Sequence, residues 1–342
     1  MGEKLDPSAI LRVIKKVPGE DKINKKLLEV QKGAGSPDLL KRILNVLTFW
    51  VFPLKYSLMK EKRNLPSMKK KPETGLFRLL LNGLHAYIYG RWTKRYIKVL
   101  LNSIIPRLSP RGKIKLTNGF HCKVLSHENA KSIITIDRKI PLQDLEQIIP
   151  FPRARYLVLN GPPEIVLYEC SCRLTRENPC QPTQVCMIIG KPFTDFILKH
   201  HPGTSRRINQ EEALEILHAE HERGHVHTAW FKDAMGDRFY ALCNCCKCCC
   251  FGITAMLKYS TSIIAPSGYI AKVDEIQCTV CGTCQEVCPF QAIELNGNPR
   301  VMWEACMGCG VCVGQCPNKA MSLELDSNKG LPMDVGTLNV EG

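Results

Sequence analysis

The sequence lacks the short motifs that mark several common classes of enzyme. It contains no glycine-rich dinucleotide fingerprint, no Walker phosphate loop, no G-x-S-x-G and no C-x-x-C-H. Each of these patterns positions a defined chemical group. Their absence argues against a nicotinamide or flavin site, nucleotide hydrolysis, a serine nucleophile elbow and covalently attached haem.

Long apolar runs are also missing. A helix is expected over residues 36–53, but its apolar run from Ile43 to Leu54 has only 12 residues, which is too short to span a bilayer. The first residues show no apolar segment before a small-residue cleavage site, so we expect no secretory signal. The expected location is the cytoplasm, or the inner face of the membrane as a peripheral protein.

Acidic residues are scarce in the first third of the chain. Residues 1–115 contain 26 Lys and Arg but only 8 Asp and Glu, against 47 and 32 in the whole chain, so this segment supplies the entire net charge of +15. Aromatic and basic residues mix in residues 76–108. We expect these residues to form a helical part that packs on the rest of the chain, and docking to an anionic membrane surface is the alternative. No nucleic-acid-binding signature accompanies the charge, so nucleic acid is not an expected partner.

Cysteine, in contrast, is abundant. Of 19 cysteines, one is Cys122 and the other 18 lie between Cys170 and Cys316. The count is odd and no export signal is expected. We therefore expect a reducing compartment, in which dense cysteine indicates metal binding rather than disulfides.

Two segments near the C-terminus repeat one cysteine spacing. Residues 278–289 read CTVCGTCQEVCP and residues 306–317 read CMGCGVCVGQCP, both C-x2-C-x2-C-x3-C-P. In this pattern three thiolates on a tight loop bind three irons of a cubane, and the fourth cysteine crosses to the other cluster. One predicted ligand set is Cys278, Cys281, Cys284 and Cys316, and the other is Cys306, Cys309, Cys312 and Cys288.

Residues 268–325 closely resemble the bacterial-type ferredoxins, on the strength of these two motifs and their prolines Pro289 and Pro317. The resemblance implies two 4Fe–4S clusters that store and pass single electrons at low potential. Gly282, Gly308 and Gly310 are expected to let the backbone close around the clusters. Zinc binding by the C-x2-C pairs is the alternative.

Ten further cysteines lie in two segments of the middle region. The segment ECSCRLTRENPCQPTQVC contains Cys170, Cys172, Cys180 and Cys186, and CNCCKCCC contains Cys243, Cys245, Cys246, Cys248, Cys249 and Cys250. They predict one or two additional iron–sulfur clusters, either as two cubanes or as one cluster of unusual nuclearity. Zinc and redox-active thiols are the alternatives. Residues 145–325 also resemble iron–sulfur proteins of anaerobic bacteria with a CNCC-x-CCC run, which implies an anaerobic electron-transfer context.

Four histidines lie near the cysteine run. His218 and His221 share one face of a helix that Asn209 is expected to cap, and His225 and His227 alternate on an expected strand. A ligand role and a surface or hydrogen-bonded core role are both open for them.

The expected fold class is α+β. We predict a basic, mainly helical region over 1–115, a cysteine-rich α+β domain over 116–265, a ferredoxin domain over 266–326 and a tail over 327–342. The expected function is electron transfer between redox partners, one of which could contain flavin. An iron–sulfur reductase acting on a disulfide or a similar small substrate at the middle cysteines is the alternative, and a redox-sensing regulator acting on nucleic acid has little support.

Overall fold

A computed structural model describes residues 76–137, 140–142, 157–159, 161–236 and 238–335. The chain divides into two compact units, residues 1–83 and residues 84–342. The helix expected over residues 36–53 lies outside the described residues.

Helices make up the first described part of the chain. They are α1 (Leu76–Arg91), α2 (Thr93–Val99), a π-helical turn (Leu100–Ile104), a 3-10 turn (Ile105–Arg107) and α3 (Pro110–Gly119). The chain breaks between α1 and α2 at Trp92. Gly90 packs against Phe196, where an added Cβ would lie 2.5 Å from the ring.

The helices after residue 83 pack on the middle region. The hydroxyls of Tyr89 and Tyr240 are 2.7 Å apart, and both side chains are buried. The ammonium of buried Lys232 lies 5.3 Å from the centre of the Tyr89 ring and pairs with Asp233 at 3.0 Å. The described helices from Leu84 onward lie in the same compact unit as the cysteine-rich region.

The middle region is built on a seven-stranded sheet. Its elements are β1 (Phe120–Leu125), α4 (His127–Thr135), the separate pair β2 (Ile140–Leu142) and β3 (Leu157–Leu159), β4 (Ile165–Glu169), β5 (Gln184–Ile189), α5 (Phe193–His200), β6 (Ser205–Ile208), α6 (Gln210–Glu222), β7 (Val226–Lys232), β8 (Arg238–Cys245), α7 (Phe251–Tyr259) and β9 (Ile264–Ala265). The strand order is β6-β4-β5-β8-β7-β1-β9. Neighbours are antiparallel except β1 and β9, which are parallel.

The two faces of this sheet carry different residues. Side chains alternate along a strand, so Leu242 of β8 points to one face while Cys243 and Cys245 point to the other. Leu242 belongs to the main apolar core, together with Ile133 of α4 and Leu217 of α6. The helices α4 and α6 therefore cover one face, and the strand cysteines lie on the opposite face.

The start of α6 follows its predicted cap. The Asn209 Oδ1 accepts a hydrogen bond from the backbone N–H of Glu212 at 2.8 Å, which satisfies a donor that the first turn leaves free. Gly224 has a φ of +72° just after the helix, as expected for a left-handed stop.

The C-terminal region consists of two similar halves. Its elements are β10 (Tyr269–Val273), α8 (Thr283–Val287), β11 (Ile293–Asn296), β12 (Asn298–Val301), α9 (Val311–Gly314) and β13 (Met321–Leu325). Strands β10 and β13 pair antiparallel with Ala271 opposite Leu323, and β11 and β12 form a hairpin. The predicted α+β class is confirmed. In the described part of the chain, no helix combines the length and the apolar character needed to cross a bilayer.

Candidate metal centres

The eight cysteines of the C-terminal repeats line two cavities. One is lined by Cys278, Cys281, Cys284 and Cys316, and the other by Cys288, Cys306, Cys309 and Cys312. Each cavity takes three thiols from one repeat and the fourth from the other, and these are the two sets that the spacing predicts. The two cavities are equal in volume, in keeping with a duplicated unit.

The backbone around the crossing cysteines is also repeated. The N–H of Ala292 donates to the Sγ of Cys288 at 3.3 Å, and the N–H of Ala320 donates to the Sγ of Cys316 at 3.3 Å. Such N–H donors stabilise negative charge on a ligating sulfur and thereby raise the potential of the site. A cavity lined by four thiols with backbone donors on the sulfur fits a 4Fe–4S cluster.

The two cavities differ in exposure. Cys288, Cys306, Cys309 and Cys312 are all buried, and burial raises the pKa of Cys309 to about 12. In the other cavity Cys281 is exposed, and hydrogen bonds from Thr283 lower its pKa. Solvent access is one of the factors that set the potential of an iron–sulfur cluster, so the two sites are not electrostatically equivalent.

Residues 280 and 308 occupy corresponding positions of the two repeats, and only position 308 requires glycine. Gly308 has a φ of +60° and lies so close to β10 that an added Cβ would be 2.1 Å from the carbonyl oxygen of Tyr269. Val280 stands at the matching position with a φ of +56°, and its side chain is exposed. The left-handed backbone is common to both loops, but only Gly308 is also enclosed.

Substitutions at these two positions should act in opposite directions. Gly308→Ala should lower the free energy of unfolding by more than about 2 kcal/mol, since it adds a clash to backbone strain, and Val280→Gly should raise it by up to about 1 kcal/mol. The measurement is the guanidinium midpoint of the cluster-loaded protein under anaerobic conditions. Equal midpoints for Gly308→Ala and the parent would contradict the close approach to β10.

The ten middle cysteines divide into a group of four and a group of six. The outer thiol group consists of Cys180, Cys246, Cys248 and Cys249, whose Sγ atoms all lie within 4.8 Å of one another. The Sγ atoms of Cys180 and Cys248 are 2.9 Å apart, and Cys248 is exposed. Metal–sulfur bonds of about 2.3 Å in a tetrahedron place sulfurs about 3.8 Å apart, so this group is already compact enough for one metal ion.

The other six thiols form a chain of contacts in which four cysteines are buried and two, Cys172 and Cys243, are half-buried. Hydrogen bonds join successive members of this inner thiol group in the order Cys243, Cys186, Cys170, Cys172, Cys250 and Cys245. Hydrogen bonds from its neighbours hold the pKa of Cys170 and that of Cys250 well below the usual range. Thiolate is the form that binds metal, so the inner thiol group is also a candidate centre, and it has more ligands than one cubane uses.

A buried ion pair holds the thiol-bearing segments together. Arg173 is fully buried and donates from Nη2 to Glu220 Oε2 at 2.6 Å and to the carbonyl oxygen of Asn244 at 3.2 Å. Its Nη1 donates to the carbonyl oxygen of Pro182. Burial alone would raise the pKa of Glu220, but hydrogen bonds from His225 and Arg173 lower it, so the carboxylate stays charged.

Two N–H groups of arginines near the middle thiols have no hydrogen-bond acceptor within the part of the chain that the structure describes. Among the described residues, the buried Nε atoms of Arg173 and Arg176 have no hydrogen-bond partner. Arg176 also donates to the carbonyl oxygen of Cys249 at 3.2 Å, which places it beside the outer thiol group. Buried N–H donors next to thiols fit a site whose bound metal or cluster carries negative charge.

Removing the carboxylate of Glu220 should destabilise the fold strongly. Glu220→Ala leaves the guanidinium of Arg173 buried without its partner and should lower the free energy of unfolding by about 3–5 kcal/mol. The double variant Arg173→Met with Glu220→Leu should lose less than Glu220→Ala. Denaturant unfolding under anaerobic conditions measures both, with the exposed neighbour Glu222→Ala as the control, expected within about 0.5 kcal/mol of the parent.

Comparisons with known proteins bear on the C-terminal region. The family described as a 4Fe-4S dicluster domain matches residues 270–317. A ferredoxin of Pyrobaculum islandicum is 47% identical over 36 residues, which cover 10% of this chain and 34% of the relative. The chain thus spans about a third of the length of this curated relative. The predicted ferredoxin-type module at the C-terminus is confirmed.

Two features of the sites were not found from the sequence. Spacing did not divide the middle cysteines into groups of four and six, because the division depends on which face of β8 and which loop each thiol occupies. His127, which lies beside His221 and His227, was also missed. It is 94 residues from His221 in sequence, and no spacing rule links residues brought together by a sheet.

Proposed function

We propose that the protein carries single electrons between redox partners through two 4Fe–4S clusters and one or two further iron–sulfur centres in the middle region. The observation that supports this most is the pair of four-cysteine cavities that share ligands between repeats. The proposed ligands are Cys278, Cys281, Cys284 and Cys316 for one cluster and Cys288, Cys306, Cys309 and Cys312 for the other. When bound, such clusters supply reversible one-electron chemistry.

The crossing ligands keep the two cavities close to each other. Cys284 lines one cavity and Cys288 lines the other, and they are four residues apart at α8. Four helical residues rise by about 6 Å, which is a short distance for electron transfer. The same spacing separates Cys312 and Cys316 at α9.

The cavity lined by exposed Cys281 is the proposed point at which electrons enter and leave the protein. Cys281 and the nearby side chains of Ile276 and Val280 are exposed, whereas the second cavity is buried. A redox partner, for instance one that contains flavin, would approach the cluster most closely from this side. The apolar exposed side chains provide a contact area that can exclude water around the point of transfer.

The middle thiols adjoin the C-terminal region. The ammonium of Lys247, inside the cysteine run, donates to the carbonyl oxygen of Glu286 at 2.9 Å. Glu286 is two residues from both Cys284 and Cys288, so the outer thiol group lies next to the segment that joins the two cavities. This adjacency favours iron–sulfur centres over zinc in the middle region, since such centres would extend the same electron path.

Iron and acid-labile sulfide per chain test this proposal on anaerobically purified protein, together with an EPR redox titration. We expect about 12–16 iron atoms and signals beyond those of two clusters. Cys246→Ala should remove signals assigned to the outer thiol group and leave the C-terminal pair unchanged. Cys122→Ala is the matched control, since Cys122 is buried in the sheet outside both groups. A content of about 8 iron atoms would overturn the proposal for the middle region.

A second function has support from one observation. The close contact between Cys180 and exposed Cys248 matches a dithiol pair that could reduce a disulfide substrate. One thiolate would attack a sulfur of the substrate disulfide and release the first substrate thiol. The second protein thiol would then attack the mixed disulfide, release the second substrate thiol and leave the protein pair as a disulfide. Thiol titration distinguishes the reductase from the electron carrier. In a reductase, the reduced protein should have two more free thiols than the oxidised protein. Adding a disulfide substrate should remove these two thiols without changing the iron content.

We also propose that α1, from Leu84 onward, and α2 dock on an anionic membrane surface. Four apolar side chains are exposed on these two helices and at the break between them, namely Leu84, Ile88, Trp92 and Val99. Exposed basic residues lie between these positions, namely Lys94, Arg95 and Lys98. Apolar side chains next to Lys and Arg are the composition of a helix in a membrane interface.

Vesicle flotation should test this docking. The protein should bind vesicles that contain phosphatidylserine, bind weakly to vesicles of phosphatidylcholine alone, and lose binding as salt rises. Trp92→Ala should weaken binding several-fold because an apolar anchor is lost. Ile114→Ala, at an exposed apolar position of α3, is the control and should bind like the parent. Equal binding to both vesicle types would contradict an electrostatic contribution to membrane docking.

A further inference from the structure

Three histidines meet on the helix-covered face of the middle sheet. His127 is the first residue of α4, His221 lies in the last turn of α6, and His227 lies on β7. One ring nitrogen from each lies within 4.8 Å of one from each of the others. We call these residues the histidine triad, and they are separate from every thiol group described above.

We propose that the histidine triad binds one divalent transition-metal ion of the zinc type. The Nδ1 of His127 and the Nε2 of His227 are 3.2 Å apart. Metal–nitrogen bonds of about 2.0–2.1 Å in a tetrahedron place two nitrogens about 3.3 Å apart. The observed pair therefore already has the separation that a shared metal ion requires.

The hydrogen bonds of His227 fix its ring for this role. Asn244 donates from Nδ2 to the carbonyl oxygen of Val185 at 2.9 Å, which orients its Oδ1 as an acceptor. That oxygen lies 2.7 Å from the Nδ1 of His227, so Nδ1 carries the proton and Nε2 presents a lone pair to the triad. An outer hydrogen bond of this kind is the usual way in which a metal-binding imidazole is oriented.

The donor set indicates which ions fit. Three neutral imidazoles suit zinc, iron(II), cobalt or nickel rather than calcium or magnesium, which prefer oxygen ligands. Three protein ligands also leave a fourth position open for water or another small molecule, as in catalytic rather than structural zinc sites. Alternation along β7 and β8 keeps the sulfur ligands of the inner thiol group on the opposite face of the sheet.

The neighbouring histidines are not part of the triad. His218 is exposed on α6 and pairs with Glu222 at 3.3 Å, while the Nδ1 of His225 lies 2.7 Å from Glu220. His218 therefore provides a control on the same helix as His221.

The triad borders the C-terminal module. A Cβ added to Gly314 would lie 2.8 Å from the Nε2 of His221, so the imidazole packs directly against α9. Gly314 lies two residues from both Cys312 and Cys316, which line different cavities. A bound ion would thus be adjacent to the segment that connects the two cavities.

The test uses the cluster-loaded protein and zinc alone as the probe. The parent, His127→Gln, His221→Gln and His218→Gln are equilibrated with a small excess of zinc, desalted and assayed for zinc and iron. X-ray absorption at the zinc edge reports whether nitrogen or sulfur binds the ion. The partly buried His127 and His221 are preferred to buried His227, and equal iron content shows that each variant has folded.

The parent should retain a single zinc with nitrogen ligands and no sulfur. His127→Gln and His221→Gln should bind zinc at least about tenfold more weakly, and His218→Gln should match the parent. Three results would overturn the proposal. These are no retained zinc in the parent, zinc bound by sulfur, or equal retention in all four proteins. The first would leave the 3.2 Å contact as a hydrogen bond between two imidazoles.

Discussion

The middle region depends on the hydrogen bonds that the buried guanidinium of Arg173 donates. This guanidinium joins the loop that contains Cys170 and Cys172, the carbonyl oxygen of Pro182, the β8 carbonyl oxygen of Asn244 and the carboxylate of Glu220 on α6. Its partners Pro182, Asn244 and Glu220 lie on three different segments, at 9, 71 and 47 residues from Arg173 in sequence. A planar group with five fixed donors can hold them in one arrangement, which an ammonium on a flexible stem cannot do. Arg173 therefore links the segments that carry the two thiol groups.

The seven-stranded sheet separates two chemistries by alternation. On β8, Cys243 and Cys245 point to the face that holds the inner thiol group, and Asn244 between them points to the face with the histidine triad. The proposed sulfur ligands and the proposed nitrogen ligands thus lie on opposite faces of the sheet. The separation matters because a single pocket with both kinds of donor would select one metal over the other, whereas two faces let each site keep its own preference.

The two C-terminal four-cysteine sets could be proposed from the sequence because three members of each set lie on one loop. Cys278, Cys281 and Cys284 lie on one loop, and a cubane leaves few other ways to place them. The sequence predicted the cap of α6 by Asn209 because that contact is also local. The grouping of the middle thiols could not be obtained in this way, since it depends on contacts such as that of Cys180 with Cys248, which are 68 residues apart. His127 belongs to this second class, because only the fold of the sheet brings it to His221.

The exchange of Cys288 and Cys316 between the repeats has a consequence for how the protein matures. Neither repeat contains a complete set of ligands, so neither can be completed while the other is unfolded. A chain that has emerged only as far as the first repeat holds three thiols of one cavity and one of the other. Synthesis of the whole C-terminal region must therefore precede assembly of the complete four-cysteine set of either cavity.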